Sequence, residues 1–262
     1  MKPKRAAGLI TAGGIARGLV PRLPHLLASI GPVVASSFRV SRRIANSLRA
    51  GHAASGIAAL EACDLIWIEV PDAALDRVMR DLASQTSIDG ARIVLCGSVR
   101  DSASAVPLRA AGARVASLNA VDPDARTLVA EGHSTILAEL RRLAALEKRK
   151  LIEIRPSSKA LYLAGSQLAG DLLLPWIAGA VESLRAAGFS RTEATRIVEM
   201  TGARALHSYR KAGSKAWSRA AALNLRRTMA YELGAIRSAD SRLAALYAAG
   251  VEHALAYFEP EK

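Results

Sequence analysis

No aspartate or glutamate occurs in the first 60 residues of this chain; the first acid is Glu61, and nine lysines and arginines precede it. That absence excludes from this region the carboxylate that NAD-specific folds use to bind the ribose hydroxyls. A second acid-free run, from Met200 to Tyr231, holds seven basic residues between Arg204 and Arg227. With a net charge of +13, the two runs fit an anionic ligand or an acidic partner. Aromatic residues are scarce, at three Trp, five Tyr and three Phe, which argues against a base-stacking platform and so against nucleic acid.

Cysteine is nearly absent as well. Cys63 and Cys96 lie in or beside apolar strand-like segments, as buried thiols in a reducing cytoplasm would, and no disulfide framework is expected. No apolar run reaches the roughly 20 residues of a membrane span, since "LAGDLLLPWIAGAV" is interrupted by Asp171 and Pro175. Lys2, Lys4 and Arg5 ahead of a small apolar run imitate a secretory signal, but Gly13 and Gly14 break the run where a signal's core is helical. The five histidines, His25, His52, His133, His207 and His253, show no ligand spacing, so no metal site is expected. The Gly-x-Ser-x-Gly elbow of a hydrolase triad is missing.

What is present is a change of texture along the chain. Short apolar strands alternate with helical patterns over the first 155 or so residues: "AAGLIT", "GPVVASS", "CDLIWIEV", "ARIVLCGS", "ARVASLN" and "KLIEIR" read as strands of a parallel sheet covered on both faces. Pro21 and Pro24 shorten the first intervening helix. From Ser157 onward the patterns are helical only. "SSKALYLAGSQLAGDLLLPWIAGAVESLRAAGF" reads as one long apolar helix with a kink at Pro175, and Ser190 with Glu193 forms a capping box for the next. Two more helices follow, at roughly 215–235 and 239–258. The expected fold is α/β: a Rossmann-like doubly wound parallel sheet over residues 1–156, followed by an all-α domain over 157–262.

The stretch "GLITAGGIARGLV" opens the functional reading. A dinucleotide loop needs backbone N–H groups that approach a pyrophosphate, and glycines serve the turn, the close approach and the packing of strand on helix. Here the frame is Thr11, Gly13 and Ala16, so the first glycine is replaced; Thr11, Ala12, Gly13, Gly14, Ile15 and Ala16 are the candidate cradle. The next strand ends in "SSFRVSRR", where Ser37, Arg39, Arg42 and Arg43 offer hydroxyls and paired guanidinium donors to a phosphomonoester. A dinucleotide bound here is NADP. After "LIWIE", Val70 and Pro71 face the cofactor and Asp72 is expected to cap the following helix.

The order of "SFRVSRR", "DLIWIEVPDAAL", "IVLCGS", "LRAAGARVASLNAVDP" and "KALYLAGSQLAGDLL" after the glycine loop resembles the Rossmann-like oxidoreductases whose C-terminal half is called domain of unknown function 2520, relatives of the 6-phosphogluconate dehydrogenase and pyrroline-5-carboxylate reductase group. The resemblance implies an NADP-binding N-terminal domain and a helical domain that pairs subunits into a homodimer and closes the cleft. The chain departs from that family at polar positions: Cys96-Gly97-Ser98 stands where the family tends to have His followed by Ser-Gly, Asn119-Ala120 where it has His-Pro, Tyr162-Leu163 where it has Tyr-His, and Gly170-Asp171 where it has Ser-Asn.

Hydride transfer to a small carbonyl or imine needs a proton donor beside the cofactor. Lys159, Tyr162 and Asp171, on the expected domain-spanning helix, are the catalytic candidates; Lys159 and Tyr162 share a helix face. The bland alternatives are a solvated Lys159 and a packing Tyr162. Asp171 among apolar neighbours calls for a partner, Arg204 or Arg227. Ser98 is expected at the cofactor and Asn119 at the substrate, with turn roles as the alternative. Two functions follow: an NADP-dependent oxidoreductase, or an NADP-binding sensor or partner protein that has lost its acid–base groups.

Overall fold

The computed structural model describes residues 6–12, 18–217 and 219–258. The apolar runs in the middle of the sheet form strands buried on both faces, as helices on either side require, while the last, from Lys150 to Glu153, is mostly exposed. The eight strands are β1 (Ala7–Thr11), β2 (Ile30–Val34), β3 (His52–Ala53), β4 (Leu65–Glu69), β5 (Arg92–Cys96), β6 (Arg114–Ala120), β7 (Thr127–Gly132) and β8 (Lys150–Glu153). Their order is β3-β2-β1-β4-β5-β6-β7-β8, and every described pairing is parallel except β6 with β7. Alternate residues feed two cores. Leu9, Val33, Trp67 and Val94 pack on one face, while Ile10, Val34, Ile68 and Leu95 pack on the other.

The helices of this part are α1 (Pro24–Leu27), α2 (Phe38–Leu48), α3 (Asp72–Gln85), α4 (Val106–Ala110) and α5 (Ser134–Leu146). Leu75, Met79 and Leu82 of α3 cover one face of the sheet, and Ile136, Leu140 and Ala144 of α5 cover the other. The first helix is reduced to a 3-10 turn at Val20–Arg22 and the four residues of α1, each beginning with a proline in its first turn. The antiparallel β7 departs from the expected all-parallel sheet. Only six residues separate β6 from β7, too few for a parallel crossover. That connection is a tight turn in which the Asp122 carboxylate accepts the N–H groups of Arg126, Thr127 and Asp124, holding its carboxyl below the usual range.

The remaining helices are α6 (Lys159–Ala169), α7 (Leu174–Ala186), α8 (Arg191–Ala212), α9 (Arg219–Ala239) and α10 (Ser241–Phe258). The expected continuous helix is broken between α6 and α7 at Gly170 and the 3-10 turn Asp171–Leu173, upstream of Pro175 rather than at it. Proline has no N–H for the carbonyl four residues back and its ring clashes there, so the disruption falls on the preceding turn. The capping box on α8 forms as expected, Ser190 Oγ accepting from the Glu193 N–H while Glu193 accepts from the Ser190 N–H.

Contacts divide the chain into Met1–Ala164 and Gly165–Lys262, a division that falls inside α6. In the second unit α7 and α10 approach closely: a Cβ on Gly179 would meet Leu246 at 2.7 Å, and one on Gly250 would meet the Trp176 ring at 2.5 Å. Trp217 stacks on Phe258 with ring centroids 5.1 Å apart. None of the described helices is long and apolar enough to cross a membrane.

Candidate active site

In a doubly wound sheet, the crevice opens beyond the carboxyl ends of the strands where the strand order reverses. Here that point lies between β1 and β4, where Thr11 is in register with Glu69. A cavity of about 550 Å³ occupies it, lined by Thr11, Ala12, Gly18, Leu19, Arg22, Glu69, Val70, Pro71, Cys96, Gly97, Asn119 and Ala120. Its size lies within the range of about 300–1,000 Å³ found for small-molecule sites.

Of the sequence-predicted residues, Thr11, Ala12, Val70, Pro71 and Asn119 line this cavity. Gly13, Gly14, Ile15 and Ala16 lie outside the described residues. Ser37 is the N-cap of α2, its Oγ accepting from the Val40 N–H at 3.3 Å. Arg39, Arg42 and Arg43 are exposed on α2, beyond the carboxyl end of β2, and form no ion pair among the described residues. The hydroxyl buried at this point belongs to Ser41, which donates to Ser37 O at 3.1 Å and accepts from the Ala35 N–H at 2.9 Å.

Asp72 and Ser98 are committed to each other. Pro71 takes the N-cap position of α3, so the expected capping by Asp72 does not occur; Asp72 occupies the first helical turn. Its carboxylate accepts from Ser98 Oγ at 2.6 Å and from the Val99 N–H at 3.2 Å. Ser98 also accepts from the Arg100 N–H at 2.9 Å, and is 2% exposed beneath the cavity. Asn119 Nδ2 donates to Ser98 O at 3.1 Å, which aims the amide, while Asn119 Oδ1 is buried with no partner among the described residues. A buried acceptor left unpaired costs about 1–3 kcal/mol, which a ligand N–H would offset.

Lys159 is not a solvated first-turn residue. It is 2% exposed, and its Nζ donates to Arg100 O at 2.7 Å. Burial lowers its pKa to about 8, against the opposing pull of Glu131, Cys96, Asp72 and Asp101. Such an ammonium is still mostly protonated at neutral pH, yet is close to the poise of an efficient proton donor. Tyr162 is half-buried on the same helix. Asp171 is exposed and pairs with neither Arg204 nor Arg227; Leu172, Leu173 and Leu174 beside it are exposed in the single chain too, so the expected burial that called for a partner is not present.

Two carboxylates escaped the sequence reading. Glu131, 1% exposed in β7, accepts from Ser117 Oγ, from the Ser102 N–H at 2.8 Å and from Ser102 Oγ at 2.6 Å. Glu69 accepts the Leu19 N–H, and the Val20 N–H at 3.3 Å. Burial raises the Glu69 pKa despite those two N–H groups and Arg22, and burial with Glu69 nearby pushes the Cys96 thiol up so that it stays protonated. The signal for both is an acid in the last turn of an apolar strand run.

No family model matches the chain, and no curated protein matches it. Solved structures do. An imine reductase from Myxococcus stipitatus, a V8 variant in complex with NAD+, is 15% identical, with 98% of this chain and 99% of that one covered at a TM-score of 0.68. A reductive aminase from Aspergillus terreus in complex with NADPH and ethyl levulinate is 17% identical, covering 97% and 95% at 0.66. A pyrroline-5-carboxylate reductase from Coxiella burnetii is 14% identical, covering 98% of each chain at 0.54. At this identity the likeness establishes the fold, a Rossmann-like sheet followed by a helical region.

Proposed function

We propose that this chain is an NADP-dependent oxidoreductase acting on a small carbonyl or imine, of the Rossmann-like group with a domain of unknown function 2520. The observation that carries the reading is the cavity at the β1/β4 switch point, together with the exposed guanidinium groups of Arg39, Arg42 and Arg43 on α2, beyond the carboxyl end of the neighbouring β2, where no acid occurs. The structural neighbours bound to NADP+ or NADPH support it.

Fit to the cofactor rests on two features of this chain. Gly18 lies so close to the cavity's Glu69 that any Cβ would meet Oε2 at 2.5 Å, so the backbone runs at the cleft wall. Thr11, Ala12, Val70 and Pro71 would hold the dinucleotide, with Gly13 to Ala16 as the expected cradle, and Arg39, Arg42 and Arg43 would meet the 2′-phosphate. When bound, the nicotinamide exchanges a hydride with the substrate. The chain's own tasks are then to orient and to move a proton. Asn119 Oδ1 accepts a substrate or carboxamide N–H, and Lys159 is the proton reservoir, with Tyr162 beside it. The free buried thiols fit a reducing, cytoplasmic setting.

Homodimerisation through the helical part belongs to the same reading. Leu172, Trp176, Met200, Leu206, Tyr209 and Tyr231 of the second unit are exposed in the single chain, large apolar and aromatic side chains that pairing of helices between subunits would cover. The second reading, an NADP-binding sensor or partner protein, is favoured by the commitment of Ser98 to Asp72 and by the exposure of Asp171. Calorimetric titration with NADPH and NADH tests both readings: preference for NADPH is expected, and absence of binding or preference for NADH refutes them. Binding with no turnover across carbonyls and imines favours the second.

A further inference from the structure

Among the described residues lining the cavity Glu69 is the one acid, and it stands at the switch point itself. A dinucleotide brings its diphosphate to the N–H groups at the end of the first strand's loop. The Leu19 and Val20 N–H groups, just past that loop, are already engaged by the Glu69 carboxylate. The packing is close, because the Gly18 backbone leaves no room for a Cβ against the same carboxylate. Charged and titratable groups facing it are Arg22, from the turn after the loop, and Cys96, from β5, with Lys159 beyond Cys96. Among the described residues, no set of hydroxyl and N–H donors like the three that saturate Glu131 holds Glu69 from the sheet side.

Resting on the cofactor reading above, we propose that Glu69 is an internal counter-anion of the cleft, which occupies the Leu19 and Val20 N–H donors at the cleft wall until a dinucleotide displaces it, and that the displaced carboxylate takes up a proton as the diphosphate enters. Two anions cannot share one set of donors in a buried cleft without one being neutralised. The sign follows. Burial already raises the Glu69 pKa in the free protein, and an adjacent diphosphate raises it further. Between the two values the complex binds more protons than the free protein, so affinity falls as pH rises.

The experiment titrates NADPH into the full chain between pH 7 and 9, where the 2′-phosphate, with a second pKa of about 6, is already about nine-tenths or more ionised, in buffers of low and high ionisation enthalpy. The wild type is expected to take up as much as about one proton per NADPH and to lose affinity by up to about tenfold per pH unit. E69Q keeps an acceptor for the two N–H groups and is expected to fold, to take up fewer protons than wild type, with Lys159 near pH 8 as the remaining titrating group, and to bind more tightly than wild type at pH 9. E69A gives the same reduced uptake and shallower slope if the carboxyl, rather than the amide, is responsible. Wild-type binding with the same slope and proton count in both variants overturns the proposal and leaves the cofactor reading standing. No NADPH binding by wild type or either variant at any pH overturns the cofactor reading and the proposal with it.

Discussion

Lys159→Met gives the sharpest test of the polar centre. With its pKa lowered from 10.5 to about 8, Lys159 binds protons less readily folded than unfolded. The sign is therefore one of gain: the penalty for burying the ammonium is fully present below pH 8 and is relieved as pH rises through 8 towards 10.5. From pH 7 to pH 10 the lysine's contribution should rise by about 2.5 kcal/mol, one pKa unit being worth about 1.36 kcal/mol. At pH 7 the variant escapes that penalty but leaves Arg100 O without its donor, a loss of about 1–3 kcal/mol, so the two proteins should be nearly equally stable there. Urea unfolding in a W176F/W217F background reads the first unit alone, since Trp67 is buried in it. The difference in unfolding free energy, wild type minus variant, cancels other titrating groups such as Cys96. A difference that stays flat within about 0.5 kcal/mol between pH 7 and 10 refutes the buried, depressed amine.

Replacing Arg39, Arg42 and Arg43 together with alanine should weaken NADPH binding by about 10- to 100-fold, because hydrogen bonds to a charged group contribute about 1.5–3 kcal/mol. NADH binding should be unchanged, and equal losses for both in calorimetry would remove the 2′-phosphate assignment. Glu131→Ala strips Ser117 and Ser102 of their acceptor and Lys159 of a neighbouring carboxylate charge in a buried setting, so a loss of about 3 kcal/mol is expected by denaturant titration. Gly132→Ala is strained twice, by a φ of 128° and by a Cβ 2.5 Å from Ala116 Cα; destabilisation of about 2 kcal/mol or more is expected, and a neutral variant would contradict the β6–β7 pairing.

The sheet was legible because its central strands β1, β2, β4, β5 and β6 are largely buried and read as apolar runs, and the mostly exposed β8 still carries Leu151 and Ile152; all six segments singled out in the sequence overlap a strand. β7 was not, since its Glu131 and Gly132 interrupt the pattern and the turn at Asp122 is set by side-chain acceptance of three N–H groups, which periodicity does not register. The two-residue β3 is too short to carry a pattern. The start of α8 was legible at the Ser190 capping box and its end at Gly213, where local chemistry decides. The fate of Asp72 was not, because its partner Ser98 is 26 positions away and is brought near only by the adjacency of β4 and β5.

Glu69 and Glu131 show how far one sequence cue reaches. Each is an acid near the end of an apolar strand run, where an uncompensated charge is costly. Glu131 faces the neighbouring strand, and Ser117 with Ser102 satisfies it from the protein's own hydroxyls and backbone. Glu69 stands at the edge where the strand order reverses, and its donors are backbone N–H groups of a turn that also borders the cavity. Both positions escape a reading of the sequence alone, although each is an acid closing an apolar run. Only the topology separates a carboxylate saturated by its surroundings from one whose donors an incoming diphosphate would also seek.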